Sequence, residues 1–106
     1  MLSLTYYTTS DGTTVLQEWL AKLPDKAAAA RIVMRIECLG KGQLGDCKPL
    51  KDGVWELRID YGPGYRIYYA KTDKTVVLLL CGGDKRKQDA DIERATAYLK
   101  DYKSRC

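Results

Sequence analysis

Two arginines, a tyrosine and a basic loop are the residues whose types and spacing could do chemistry. Arg58 lies in WELRI, Arg66 and Tyr68 in GYRIYY, and Lys85 and Arg86 in GGDKRK. Guanidinium groups grip phosphate oxygens through parallel N–H donors, and an ammonium adds a point charge. Two arginines plus Lys85 could therefore hold a phosphate and stabilise charge that develops on it. A phenol could act as an acid or base only with a lowered pKa. Glu56, near Arg58, could serve as a base or simply pair with that arginine. The chain has no His, so the usual imidazole acid and base, His-dependent triads and most metal sites are excluded.

These residues are positioned by Val54–Cys81, VWELRIDYGPGYRIYYAKTDKTVVLLLC, which parses as three strands. Val54–Asp60 alternates apolar and polar, Tyr65–Lys71 less cleanly, and Val76–Cys81 is continuously apolar. Gly62-Pro63-Gly64 and Thr72-Asp73-Lys74 suit tight turns, so neighbours are antiparallel. Side chains alternate across a strand. Trp55, Leu57 and Ile59 share one face with Tyr65, Ile67 and Tyr69. Glu56 and Arg58 share the other with Arg66 and Tyr68. If the apolar sets face one core, Arg58, Arg66 and Tyr68 emerge together on the opposite, open face. A solvated sheet face carries such residues equally well.

The glycine pair Gly82-Gly83 lets the backbone turn sharply as the third strand ends. Asp84, Lys85, Arg86, Lys87 and Gln88 then lead into a helix N-terminus, where free N–H groups attract anions. A charged, solvated loop is the alternative. Gly42–Gly53 reads as irregular. Lys48 and Lys51 within it extend the basic surface as candidate polyanion contacts, with Lys87 on the other side, although loop lysines often serve solubility alone.

The remaining elements frame this sheet. Leu2–Thr8 alternates and reads as an edge strand. Thr13–Leu23 reads as a helix, with Thr14 and Gln17 at capping-box spacing and a stripe of Leu16, Trp19, Leu20 and Leu23. Pro24 stops it, and Asp25 caps Lys26–Leu39, whose stripe is Ile32, Ile36 and Leu39. The two form an αα-hairpin that covers the apolar sheet face. Asp89–Tyr102 is a final helix, acidic in its first turn and basic near its end, as the helix dipole favours.

At 106 residues and 45% hydrophobic, residues 1–106 are expected to form a single domain with a real core. The net charge is +4, and all of the excess lies after residue 46, which favours a polyanion and nucleic acid first. No apolar run reaches membrane-spanning length, and no signal peptide is visible, so a cytoplasmic location without membrane contact is expected. The cysteines Cys38, Cys47, Cys81 and Cys106 fit no zinc spacing; Cys38 and Cys81 read as buried thiols and Cys106 as an exposed terminal one. No cofactor and no metal are expected.

With LPDKAAAARI, GDCKPLKDGVWELRIDYGPGYRIYYA and LLLCGGDKRKQDADIERA in this order, nearly the whole chain resembles the RelE/ParE superfamily of type II toxins. It is most similar to the addiction module killer proteins, near the HigB toxins. The resemblance implies a RelE-like α+β fold, with the N-terminal strand and αα-hairpin packed on one face of a small antiparallel sheet and a C-terminal helix. It implies a toxin neutralised by a cognate antitoxin, often a helix-turn-helix protein, and cleavage of mRNA on the ribosome. Carried over by position, Arg58, Arg66, Lys85 and Arg86 surround the scissile phosphate. RelE has a further lysine where this chain has Glu56, and a catalytic tyrosine after its basic loop. Asp89–Glu93 holds none, and Tyr68 could substitute for it. The gyrase-poisoning ParE branch shares the fold, and an inactive toxin-fold binding module is a third reading.

Overall fold

The sheet is built from its middle outward. In the computed structural model, which describes residues 2–105, β3 (Val54–Ile59) and β4 (Tyr65–Asp73) pair antiparallel, with Leu57 opposite Ile67 and Ile59 opposite Tyr65. Gly62 and Gly64 take positive φ in the turn between them, a conformation that costs glycine little. β5 (Val76–Asp84) pairs antiparallel with β4. Two shorter strands complete the order β1-β5-β4-β3-β2: β1 (Ser3–Tyr6) at one edge and β2 (Cys47–Pro49) at the other.

The sheet is mixed, not antiparallel as expected. The β3–β4–β5 meander leaves one edge of β5 unpaired, and β1 fills it while running parallel to β5. Ser3 N–H donates to the Thr75 carbonyl at 2.6 Å and Tyr7 N–H to that of Leu79 at 2.9 Å. Alternation fixes which face a residue takes, but it says nothing about the direction of a strand that pairs at long range. β2 likewise replaces part of the irregular chain expected over Gly42–Gly53, because three residues ending in proline carry too little pattern to register as a strand.

Helices α1 (Val15–Lys22) and α2 (Lys26–Gly40) cover one sheet face. Leu16, Ile32, Ile36 and Leu39 are buried there against Leu57, Ile67, Tyr69 and Leu79. Each such side chain contributes roughly 1.5–3 kcal/mol of burial. Asp25 caps α2, its side chain accepting from Ala28 N–H at 3.1 Å. The capping box expected at Thr14 does not form. Thr14 makes no side-chain cap bond; it bridges back to Thr8, with the two hydroxyls 3.4 Å apart.

The opposite face is not open. α3 (Gln88–Ser104) lies on it, and Ala95 and Leu99 pack with Val54, Tyr68, Ala70, Leu78, Leu80 and Cys81 into a second core. β5 is therefore buried on both faces, which accounts for its continuous apolar run. Tyr68 opposes Cys81 and Tyr69 opposes Leu79, leaving Leu80 as an extra bulge residue that lets both Leu80 and Cys81 join the α3 side.

Gly82 and Gly83 are strand residues, not a sharp turn. A Cβ on Gly82 would sit 2.7 Å from the Trp19 ring of α1, and one on Gly83 would run into the Asp91 carboxylate of α3. The pair is small so that a helix can press on the strand from each side. Among the described residues, no helix is long and apolar enough to cross a membrane. Cys106 lies outside the described residues.

Candidate functional site

Two adjacent cross-strand rows build the site. Lys48, Glu56, Tyr68 and Cys81 are successive Cα partners across β2, β3, β4 and β5. In the next row Arg58 opposes Arg66, which opposes Gly83. Like charges directly opposite on one face repel. Glu56 offsets this from the neighbouring row: its Oε1 lies 3.8 Å from Arg58 Nε and its Oε2 3.7 Å from Arg66 Nε. The Glu56 side chain is fully buried, and Gln88 Nε2, from the first residue of α3, donates to Oε2 at 2.9 Å. Asp46 adds a second carboxylate 3.5 Å from Arg58 Nε. The result is a carboxylate clamp that holds two guanidinium groups side by side.

The two arginines differ in access. The Arg58 side chain is 37% exposed and that of Arg66 only 12%. Lys85 is exposed and follows Asp84, which opposes Tyr65, so it stands at the same end of the sheet as Arg66. Both approach Gly64 in the β3–β4 turn: a Cβ there would lie 3.6 Å from Lys85 Cβ and 3.7 Å from Arg66 Nη1. Arg58, Arg66 and Lys85 thus share one end of the sheet.

The other basic residues are arranged unequally. Lys85–Lys87 form a 3₁₀ turn capped by Asp84, whose carboxylate accepts from Arg86 N–H and faces Arg86 Nη2, both at 2.9 Å. Hydrogen bonding to Arg86 holds the Asp84 carboxyl below its ordinary range. Arg86 is exposed but committed to that turn. Lys87 is exposed beside it, and Lys48 is exposed on edge strand β2. Lys51 lies in the turn that enters β3, at the opposite end of that strand from Arg58, where it shares a groove with Asp89 and Glu93 of α3.

Tyr68 shares the arginine face but does not emerge on an open surface; α3 covers it completely. Burial, with the Glu56 and Asp91 carboxylates, pushes its phenol well above the ordinary value. A base needs the opposite shift and must reach its proton. Asp91, in the first turn of α3, is also buried, with Oδ1 at 2.8 Å from Arg94 Nη1, and desolvation raises its pKa. Among the described residues, no group of three or more His, Cys, Asp or Glu is placed to hold a metal ion.

The arrangement can bind an anion at the rim of the sheet, with Arg58 as the accessible donor, Arg66 as the buried one and Lys85 beside them. Sequence reasoning did not anticipate Gln88, Asp46 or Asp91 as members of this polar region. Glu56 was legible through its strand face. Gln88 and Asp91 become visible only when α3 is known to lie on that face.

Comparison with known proteins places the chain in a family. Residues 18–101 match the family described as phage derived protein Gp49-like (DUF891). An uncharacterized protein of Haemophilus influenzae is 48% identical over 83 residues, covering 78% of this chain and 84% of that protein. The matched region takes in α2, all of β2 to β5 and most of α3, and so every member of the arginine clamp. The chain belongs to the Gp49-like family of phage-derived proteins, a type II toxin-like family in the RelE/HigB-related group.

Proposed function

We propose that this protein is the toxin of a type II toxin–antitoxin pair, with a RelE-like fold, and that it cuts mRNA on the ribosome in the cytoplasm. The observation that carries this reading is the pair Arg58 and Arg66, fixed opposite one another by buried Glu56 beside Lys85. In the proposed reaction the ribose 2′-oxygen attacks the adjacent phosphorus as its proton passes to a water molecule. The bond from phosphorus to the 5′-oxygen breaks, and that oxygen takes up a proton from water. The products are a 2′,3′-cyclic phosphate and a 5′-hydroxyl. Arg66 stabilises the added charge, Arg58 orients the phosphate, and Lys85 stands near the leaving oxygen. Arg86, Lys87 and Lys48 contribute field along the RNA. The ribosome holds the strand in line for attack, which supplies much of the rate by geometry. Membership of a toxin-like family supports an antitoxin partner, for which a helix-turn-helix protein is the expected kind.

The test is mapping of mRNA 5′ ends in cells after brief induction, wild type beside Arg66→Ala. New ends inside translated frames, lost in a folded mutant, are the expected result. Growth arrest without new ends but with loss of DNA supercoiling would make the protein a gyrase inhibitor. No arrest would make it a non-catalytic binding module.

A further inference from the structure

Gln88 is the first residue of α3 and follows the basic turn Lys85–Lys87 directly. Its Nε2 donates to Glu56 Oε2 at 2.9 Å. That oxygen is also the one nearest Arg66 Nε, at 3.7 Å, while Oε1 faces Arg58 Nε at 3.8 Å. A carboxylate beside two guanidinium groups gains most by turning onto one of them as a bidentate pair. Glu56 does not do so. It approaches each arginine at Nε, beyond hydrogen-bonding length, and Oε1 and both Nε atoms have no hydrogen-bond partner among the described residues. The Gln88 amide pins Oε2 and keeps the carboxylate divided between the two arginines. Their terminal Nη groups, which grip a phosphate, are left unclaimed by Glu56.

The same side chain fixes the basic turn. At its start Asp84 accepts from Arg86 N–H at 2.9 Å, and at its end Gln88 is tied to Glu56. Glu56 is fully buried on β3, so the turn is anchored to a central strand. Lys85 then stands beside Arg66 at Gly64. An amide does this without disturbing the charges. Glu56 and Asp46 already face Arg58 and Arg66; a cation at position 88 would draw Glu56 off the arginines, and an anion would repel it.

We infer that Gln88 is a positioning residue: it divides Glu56 between Arg58 and Arg66, leaves their Nη groups free for a phosphate, and sets Lys85 beside them. Its effect on cleavage rests on the mRNA-cutting reading above; its effect on the arginines does not.

Gln88→Met keeps the length and helix propensity of the side chain and removes the donor. Gln88→Glu puts a carboxyl against Glu56, and two adjoining carboxyls share one proton. At acid pH the introduced carboxyl holds that proton and donates it as the amide does. As pH rises it ionises and repels Glu56. The other titratable and charged groups around Glu56 and its neighbour Tyr68 are Lys48 on β2, Arg58 on β3, Arg66 on β4, Cys81 on β5 and Asp91 on α3; all are common to the three proteins.

Each full-length protein, checked by thermal melting, is assayed on ribosomes programmed with a defined mRNA. The Nε–H signals of Arg58 and Arg66 are followed by NMR in the same samples without ribosomes. Gln88→Met is expected to cut about a hundredfold more slowly at saturating protein, at every pH, with half-saturation within about twofold of wild type. Gln88→Glu should approach the wild-type rate at about pH 6 and lose it toward about pH 9, its Arg66 Nε–H signal moving over the same range. A residue that merely starts α3 would give both variants a pH profile of wild-type shape and leave the arginine signals in place. That result overturns the inference, as does cleavage by folded Gln88→Met at the wild-type rate. A wild type that leaves the mRNA whole defeats the cleavage reading alone, and the arginine signals of Gln88→Met then decide the positioning. If Gln88→Met does not fold, Gln88→Glu at the two pH extremes decides it.

Discussion

Arg58 and Arg66 are direct cross-strand partners, and one fully buried carboxylate, that of Glu56, stands 3.8 and 3.7 Å from their Nε atoms. The charges are balanced inside the fold before any ligand arrives. Removing one member of a buried charged set leaves the others uncompensated. Glu56→Gln, which keeps the shape, should therefore lower stability by about 3 kcal/mol, read as an earlier midpoint in urea. Arg58→Ala should cost far less, about 1 kcal/mol, because Arg58 is partly solvated and Arg66 and Gln88 still face Glu56.

Tyr68→Phe separates structure from chemistry. The hydroxyl is buried and has no hydrogen-bond partner among the described residues. Its removal should leave stability unchanged or raise it by about 1 kcal/mol, with cleavage intact. A tyrosine that served as the base would lose most of its activity in the same variant. Urea melts and cleavage rates on one preparation decide between them.

The glycine pair in β5 supplies a steric test. Gly83→Ala places a methyl group into the Asp91 carboxylate and should destabilise by about 2 kcal/mol. Asp91→Ala in the same chain should recover part of that loss, a coupling that a double-mutant cycle measures directly. Gly82→Ala meets the Trp19 ring instead and should not be rescued by the Asp91 change.

Two aspartates of α3 should respond to pH in opposite directions. Asp101 accepts a hydrogen bond from the Tyr7 hydroxyl at 2.6 Å and pairs with Arg105, so its pKa is lowered. The unfolded chain then binds its proton first, and stability falls as pH drops below about 4. Burial raises the Asp91 pKa, so the folded chain binds its proton more tightly, and stability falls as pH rises from about 4 through the raised value. Asp101→Asn should flatten the acid limb of the stability profile, and Asp91→Asn should remove the falling limb above it.

Cys81 offers a probe of the second core. Burial pushes its thiol up to about 12, whereas Cys38 and Cys47 are only half-buried. A thiol reagent at pH 8 should leave Cys81 unmodified until α3 detaches or the chain unfolds, as peptide mapping after modification would show.

The strand faces were legible because Val54–Asp60 alternates cleanly and Tyr65–Lys71 alternates enough to follow it; Leu57, Ile59 and Ile67 reach one core, while Glu56, Arg58 and Arg66 share the other face. The cover on that other face was not, although the unbroken apolar run of β5 already requires burial on both sides. The bulge at Leu80 hides the period of two where it would have pointed to α3. Gly82 and Gly83 mislead because a glycine needed for close approach looks the same in sequence as one needed for a turn. The basic site residues and Glu56 were visible, whereas Asp46 and Asp91 were not. Gln88, which locks the clamp from α3, was not, because its role depends on a contact 32 residues away.

The most direct test of the central claim uses purified ribosomes programmed with a defined mRNA, with cleavage followed by primer extension. Wild type is compared with Arg58→Ala, and thermal melts of both proteins report whether they are folded. The account predicts cleavage by the wild type and a rate about a hundredfold lower, or less, in a folded Arg58→Ala protein. Cleavage by Arg58→Ala at the wild-type rate would contradict it, since the accessible arginine of the clamp would then do nothing to the phosphate.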